Sequence, residues 1–184
     1  MLEIPQHILD FARATSKFYT PLARHSGFSE TNAQKRGDGD LSDLIGTLMV
    51  FELLAKENKI CKIELCSGDG DESDLEIRVN GHYKKINIKT SLYAPFRDSL
   101  NLYIKEEELD KDIDAYMQVF VHLQEGQQKP HVHIAGWCPT GSETWKAHQN
   151  IINIPNTGGH RGIGIPINKL GSLTSLKKAA DTKF

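Results

Sequence analysis

From Ile60 onward the chain breaks into short runs rich in β-branched and aromatic residues: ICKIELC, DLEIRVN, YKKINIKTS, LNLYIK, AYMQVFVHL and HVHIAGW. Each is long enough for one strand and too short for an average helix. Asn80-Gly81 falls between two alternating runs, the dipeptide that a tight hairpin turn favours. What precedes is of another kind. Pro5 followed by QHILDFARATSKFYTPLARHSGF reads as a helix with a break near Pro21, and TNAQKRGDGD as a polar loop. SDLIGTLMVFELLAKEN reads as a strong helix with Ser42 or Asp40 as its N-cap. After the strand block, GSETWKAHQ predicts a short helix, IINIP and GIGIPI further strands, and GSLTSLKKAAD a closing helix. Helices first, then a block of mostly adjacent strands, predict an α+β or mixed α/β fold with a central sheet.

The 184 residues suit a single domain with a full core. No apolar stretch approaches the roughly 18 residues of a membrane span. The opening MLEIPQHILDF mixes acids with apolar residues and lacks the basic start of a signal peptide. Cys61, Cys66 and Cys138 make an odd count without a CxxC pair, which argues against a disulfide framework or a structural zinc site. A cytoplasmic globular domain without membrane contact is expected. The net charge of −2 says nothing about nucleic acid, but its distribution is uneven. Residues 41–74 sum to −5, 75–100 to +3, 101–125 to −5 and 126–184 to +5. The two basic stretches could gather into a local positive surface, or be solvated faces that alternate in sign.

The chemistry concentrates in SDLEIRVNGHYKKINIKTS, residues 73–91. Asp74 opens one strand of the hairpin, and Asn87 and Lys89 stand two apart on the other. The period of two puts Asn87 and Lys89 on one face and Ile86 and Ile88 on the other. An acid at one strand's start and a lysine on its partner suit a magnesium-dependent phosphodiester nuclease: carboxylates hold the metal, and the ammonium steadies charge or orients the attacking water. The arrangement resembles the PD-(D/E)XK restriction-endonuclease-like superfamily, with Ser73-Asp74 for Pro-Asp and Asn87-Ile88-Lys89 for the acid-x-Lys step. The preceding GTLMVFELL helix and the following NLYIKEEEL, AYMQVFVHL, VHIAGW and GIPINKL segments extend the resemblance from about Asp40 to the C-terminus.

The resemblance implies one restriction-endonuclease-like domain over residues 1–184, a mixed central sheet flanked by helices, with residues 1–35 as a helical extension. It implies hydrolysis of phosphodiester bonds, most plausibly in DNA, with Mg²⁺ or Mn²⁺. Asp74 would hold the metal, Glu52 would support it, Asn87 would lend an amide oxygen, and Lys89 would act on the water or the phosphate. Arg78, Lys84, Lys85 and Arg97 are candidates for backbone contacts, which give affinity without sequence information. His160 and Arg161 are further candidates for phosphate contacts. The oligomeric state stays open, a homodimer included.

The chain departs from the pattern at Asn87, where the superfamily has Asp or Glu. An amide oxygen can coordinate a hard cation but brings no charge, and magnesium sites rest on one or two carboxylates. Either the site runs on Asp74 and another acid, or the protein is a nuclease-derived binding or accessory module that no longer cuts. Glu52 is the candidate for that acid, because at 100° per residue it falls amid Leu41, Leu44, Ile45, Leu48 and Ala55. The alternative is a core glutamate paired with Lys89 or Arg78. By spacing from Gly46, the usual acid position could instead be Val50. His131 and His133 share a strand face but lack a nearby third ligand for zinc. GGHRGIGIP lacks the order of a phosphate-binding loop, Cys138 has no evident base, and the acidic run Lys105–Asp114 reads as a solvated helix or loop. Trp137 and Trp145 read as packing residues.

Overall fold

The computed structural model describes residues 1–25, 30–59, 61–63, 73–92, 100–123, 129–155 and 158–181, with side chains outside 16–40 and 61–63. A short strand β1 (Leu2–Glu3) leads into helices α1 (Gln6–His25) and α2 (Glu30–Lys56). Strands β2 (Cys61–Ile63), β3 (Leu75–Val79), β4 (His82–Leu92), β5 (Asn101–Lys105), β6 (Ala115–His122) and β7 (His131–Pro139) follow. The chain continues through α3 (Glu143–Ala147), β8 (Ile152–Asn153), β9 (Arg161–Pro166) and α4 (Leu173–Ala179).

The fold is mixed α/β. The main sheet has the order β1-β7-β6-β4-β3-β2. β2, β3 and β4 form an antiparallel meander, and β4 runs parallel to β6. An antiparallel meander joined to a parallel strand, with helices packed on it, is the mixed central sheet flanked by helices that the sequence led us to expect. Asn80 and Gly81 take φ of 50° and 82°, the left-handed pair that closes a tight hairpin without splaying its strands. β6 is buried at each residue from Ala115 to Val121, as a strand covered on both faces must be.

One face of the sheet presents Leu75, Ile77, Ile86, Ile88, Met117 and Val119 to Ile45, Met49, Val50 and Leu54 of α2. Gly46 marks the closest approach. A Cβ there would lie 2.4 Å from Thr90 Cγ2 and 3.5 Å from Val119 Cγ1. Asp43, one turn earlier, accepts a hydrogen bond from the Thr90 hydroxyl. Ile4, Ile8, Leu9 and Ala12 join the same core, so the N-terminal segment is packed into the fold. The other face of the sheet meets a second sheet of order β5-β9-β8, and Leu102, Ile104, Tyr116, Trp145, Ile163 and Ile165 form a second core there. Parallel strands are usually joined through a helix. The described residues of the β4-to-β6 connection include β5 and a 3-10 turn, Glu106–Glu108, which cross that second face.

Two local expectations differ from the structure. α1 continues past Pro21 to His25, because a proline near a helix end forfeits one backbone hydrogen bond without stopping the helix. TNAQKRGDGD lies within α2, where propagation from the strong segment after it outweighs two glycines. The strand expected at GIGIPI is β9, Arg161–Pro166, and a Cβ at Gly162 would lie 2.0 Å from the Ile104 carbonyl oxygen, so close β5–β9 pairing requires glycine there.

Gly46→Val should lower stability by about 1–3 kcal/mol, because the added methyls must displace Thr90 from beneath α2. A urea titration with an unchanged slope and a lower midpoint would show this; an unchanged midpoint would mean that the helix can lift at no cost.

Candidate active site

The β3–β4 ladder ends at the Leu75–Ile86 pair. Just beyond it, Asp74 stands in for a backbone acceptor: its Oδ2 takes the Ile88 N–H at 2.7 Å. Leu75 and Ile86 point into the main core, so alternation puts Asp74 and Asn87 together on the opposite face. Lys89, two residues on, shares that face. Three of the four catalytic candidates therefore share one face, Asp74 just before β3 and Asn87 and Lys89 in the middle of β4.

Glu52 does not join them. Its carboxylate pairs with Lys56 at 2.6 Å and with His7 at 3.6 Å, on the α1 side of α2. α2 buries two stripes, one against the sheet and one towards α1, so its apolar arc is wider than a single-face count implies. Gly46 and Val50 lie on the stripe that meets the sheet, and this sheet face is the one opposite Lys89.

The acid beside Lys89 is Glu108. Lys89 Nζ lies 2.6 Å from Glu108 Oε1, with the two side chains 23% and 17% exposed. Glu108 is held independently of the lysine. Its Oε2 accepts the Lys105 N–H at 3.2 Å, and its backbone carbonyl accepts the Tyr116 hydroxyl at 2.8 Å. The Lys89 ammonium also lies 5.8 Å from the centre of the Tyr116 ring. Burial, reinforced by the charge of Glu108, pushes the Tyr116 phenol up, so it remains a protonated donor. The reading of Lys105–Asp114 as wholly solvated fails at this residue. The sequence carried one hint: the acids follow a strand directly and precede another, which places them on a crossover. Burial pushes the Asp74 carboxyl up; the Ile88 N–H and the Lys89 ammonium oppose that rise, and Glu108 adds to it. Asn87 Oδ1 is buried and has no hydrogen-bond partner among the described residues.

The proposed backbone-contact residues are distributed differently. Lys84 pairs with Asp114 and Lys85 with Asp112, each at 2.8 Å. Arg78 approaches Asp181 at 3.8 Å and Arg161 approaches Glu106 at 3.7 Å. Exposed pairs of this kind are screened by water and salt, so a phosphate can compete for the cations. Arg97 lies outside the described residues. His131 stacks on His122, with ring centres 4.6 Å apart, and its Nδ1 lies 3.0 Å from the Lys129 carbonyl. Among the described residues, no group of three or more His, Cys, Asp or Glu side chains is gathered for a metal. Burial pushes the Cys138 thiol up, which leaves it a poor nucleophile. Trp145 stacks on Tyr116 at 5.6 Å, and Trp137 donates to Ser175 Oγ at 2.9 Å, both packing roles.

No protein-family model matches the chain, and no curated protein does either. Among solved structures it is similar to Hjc, a Holliday junction resolvase from the archaeal hyperthermophile Archaeoglobus fulgidus, with 11% identity and a TM-score of 0.40. The match covers 72% of this chain and 97% of the resolvase. A likeness at that level carries nothing about chemistry, which must come from the site itself. Among the described residues no helix is long and apolar enough to cross a membrane.

The raised Asp74 pKa fixes the sign of a pH effect. The folded state holds that proton more tightly than the unfolded chain, so ionised Asp74 costs stability at neutral pH. That cost fades as pH falls through the raised folded value and is gone below the ordinary 3.8. Asp74→Asn keeps an acceptor for the Ile88 N–H and should raise the urea midpoint at neutral pH, with the gain shrinking on acidification. A loss of stability at neutral pH would show that the carboxylate is better compensated than its surroundings suggest.

Proposed function

We propose that the protein is a metal-dependent nuclease of the PD-(D/E)XK type, acting on phosphodiester bonds in DNA through Asp74, Asn87 and Lys89. The observation that carries this reading is the buried Asn87 Oδ1, without a hydrogen-bond partner among the described residues, on the same face as the Asp74 carboxylate and the Lys89 ammonium. A buried carbonyl oxygen left without a donor costs about 1–3 kcal/mol, so its retention points to a partner that arrives with function. The donors suit Mg²⁺ or Mn²⁺, being hard oxygens from one carboxylate and one amide, a set that such ions complete with water and substrate phosphate. When bound, the ion would supply Lewis-acid stabilisation of the phosphoryl oxygens.

The chain's own residues divide the remaining work. Asp74 is fixed by the Ile88 N–H through Oδ2, which leaves Oδ1 for the ion. Lys89 offers an ammonium for the charge that builds on the scissile phosphate, or for orienting the water. The water oxygen forms the new bond to phosphorus and releases a proton to solvent, the ester P–O bond breaks, and the leaving oxygen takes up a proton from solvent. Tyr116 and the second core wall off one side of Lys89. Arg78, Lys84, Lys85 and Arg161 would exchange their exposed acidic partners for the DNA backbone. The same reading places the protein in the cytoplasm, in keeping with the free, buried Cys138.

A second reading, a nuclease-fold module that binds without cutting, is favoured by the neutral side chain at 87 and by the acidic partners of Lys84 and Lys85. The two separate by experiment. Under the first, plasmid nicking with Mg²⁺ or Mn²⁺ should stop with EDTA and with Asp74→Ala, and Asn87→Asp should tighten the metal and raise cleavage. No cutting by any variant, with metal bound or not, would select the second. Under both, duplex binding should weaken as salt rises, and charge reversal of Lys84 and Lys85 together should weaken it about equally across sequences. Association that ignores salt would count against nucleic acid altogether.

A further inference from the structure

We propose that Glu108 is the second carboxylate of the metal site, supplying from the crossover the charge that Asn87 cannot supply from β4. This rests on the nuclease reading above and adds a residue to it. Three consecutive acids occupy the 3-10 turn, and their fates differ. Glu106 is half exposed beside Arg161, and Glu107 is 67% exposed beside Lys105. Glu108 alone turns inward, 17% exposed, onto Lys89. Its aim does not depend on the lysine, because the Lys105 N–H and the Tyr116 hydroxyl hold the turn and the carboxylate from the other side.

A carboxylate so placed sets one more negative charge beside Asp74 in a poorly solvated place, and the charges of Glu108 and Lys89 both act on the Asp74 carboxyl. Two acids and one lysine leave the cluster at −1, and the neutral amide at 87 adds oxygen without charge. A divalent cation is the partner such a set lacks. Asp74 and Glu108 together give the two carboxylates on which magnesium sites rest, with Asn87 as the third oxygen. In the cation-free protein, Glu108 neutralises Lys89. With the cation bound, Glu108 is shared, and the ammonium is freed to turn towards phosphate.

Calorimetric titration of Mn²⁺ into the full chain without DNA tests this, using wild type, Glu108→Gln, Lys89→Met and the double variant Lys89→Met/Glu108→Gln. The double variant removes both members of the ion pair, so neither is left buried without the other, which guards against a fold defect. Glu108→Gln should weaken Mn²⁺ by at least about tenfold. Lys89→Met should bind as well as wild type or better, having lost a repelling charge. The double variant should bind at least about tenfold more weakly than Lys89→Met, since only a direct contribution from Glu108 survives the removal of the lysine. Equal affinity of these last two would overturn the proposal and leave the nuclease reading standing, with Glu108 reduced to the partner of Lys89. A wild type that binds no Mn²⁺ would overturn both.

Discussion

The bond from the Ile88 N–H to Asp74 Oδ2 governs the rest of the site. It lies where β3 stops pairing with β4, so a side chain takes over from the backbone at the point where the ladder fails. A backbone donor left bare there would have to find water or open the strand end. The bond ties the acid to the backbone of the strand that carries Asn87 and Lys89, so strand geometry and site geometry cannot vary separately. Because the acid is also desolvated, the same contact that orders it keeps it poorly compensated. The fold thus holds a carboxylate in an unfavourable setting and pins it to the lysine's own strand.

How much of this was legible in the sequence varied with the range of the interactions involved. The hairpin about Asn80-Gly81 was readable, because turn chemistry and alternation are local. So was the shared face of Asn87 and Lys89, which follows from the period of two alone. The place of Glu52 was not readable. A helical wheel ranks α2 by one apolar arc, whereas this helix is sandwiched and buries a sheet stripe through Gly46 and Val50 and another towards α1, where Glu52 meets His7. Glu108 was hidden for a different reason. Its neighbours in sequence are acidic and solvated, and its inward turn is set by Tyr116 and Lys89, which are partners in space that no local pattern names.

The two cores share the labour. The α2 side is mainly aliphatic, with the Thr90–Asp43 hydrogen bond set into it, while the side facing the small sheet admits aromatic rings, a phenol and an ion pair. β4 and β6 separate the two, and their residues alternate between them. Placing reactive groups on the second side lets the first carry the burden of stability. Replacing a strand residue on one side therefore need not disturb the other, provided that the backbone register of the parallel β4–β6 pair is kept.

One contact far from the site affects how the chain reaches this structure. The Asp181 carboxylate accepts the N–H groups of Asn80 at 3.0 Å and Gly81 at 2.9 Å, and Arg78 approaches it as well, so the hairpin turn is clasped by a residue 101 positions later. The hairpin is short-range in its pairing and long-range in its anchoring. A chain emerging from the ribosome can form the β3–β4 ladder early, but the turn stays unclasped until residue 181 has been made and α4 has docked. The parallel β4–β6 pairing likewise waits for the whole crossover. The strand that bears Asn87 and Lys89 is thus among the first to form and among the last to be secured, so its hairpin is held in its final setting only when the chain is nearly whole.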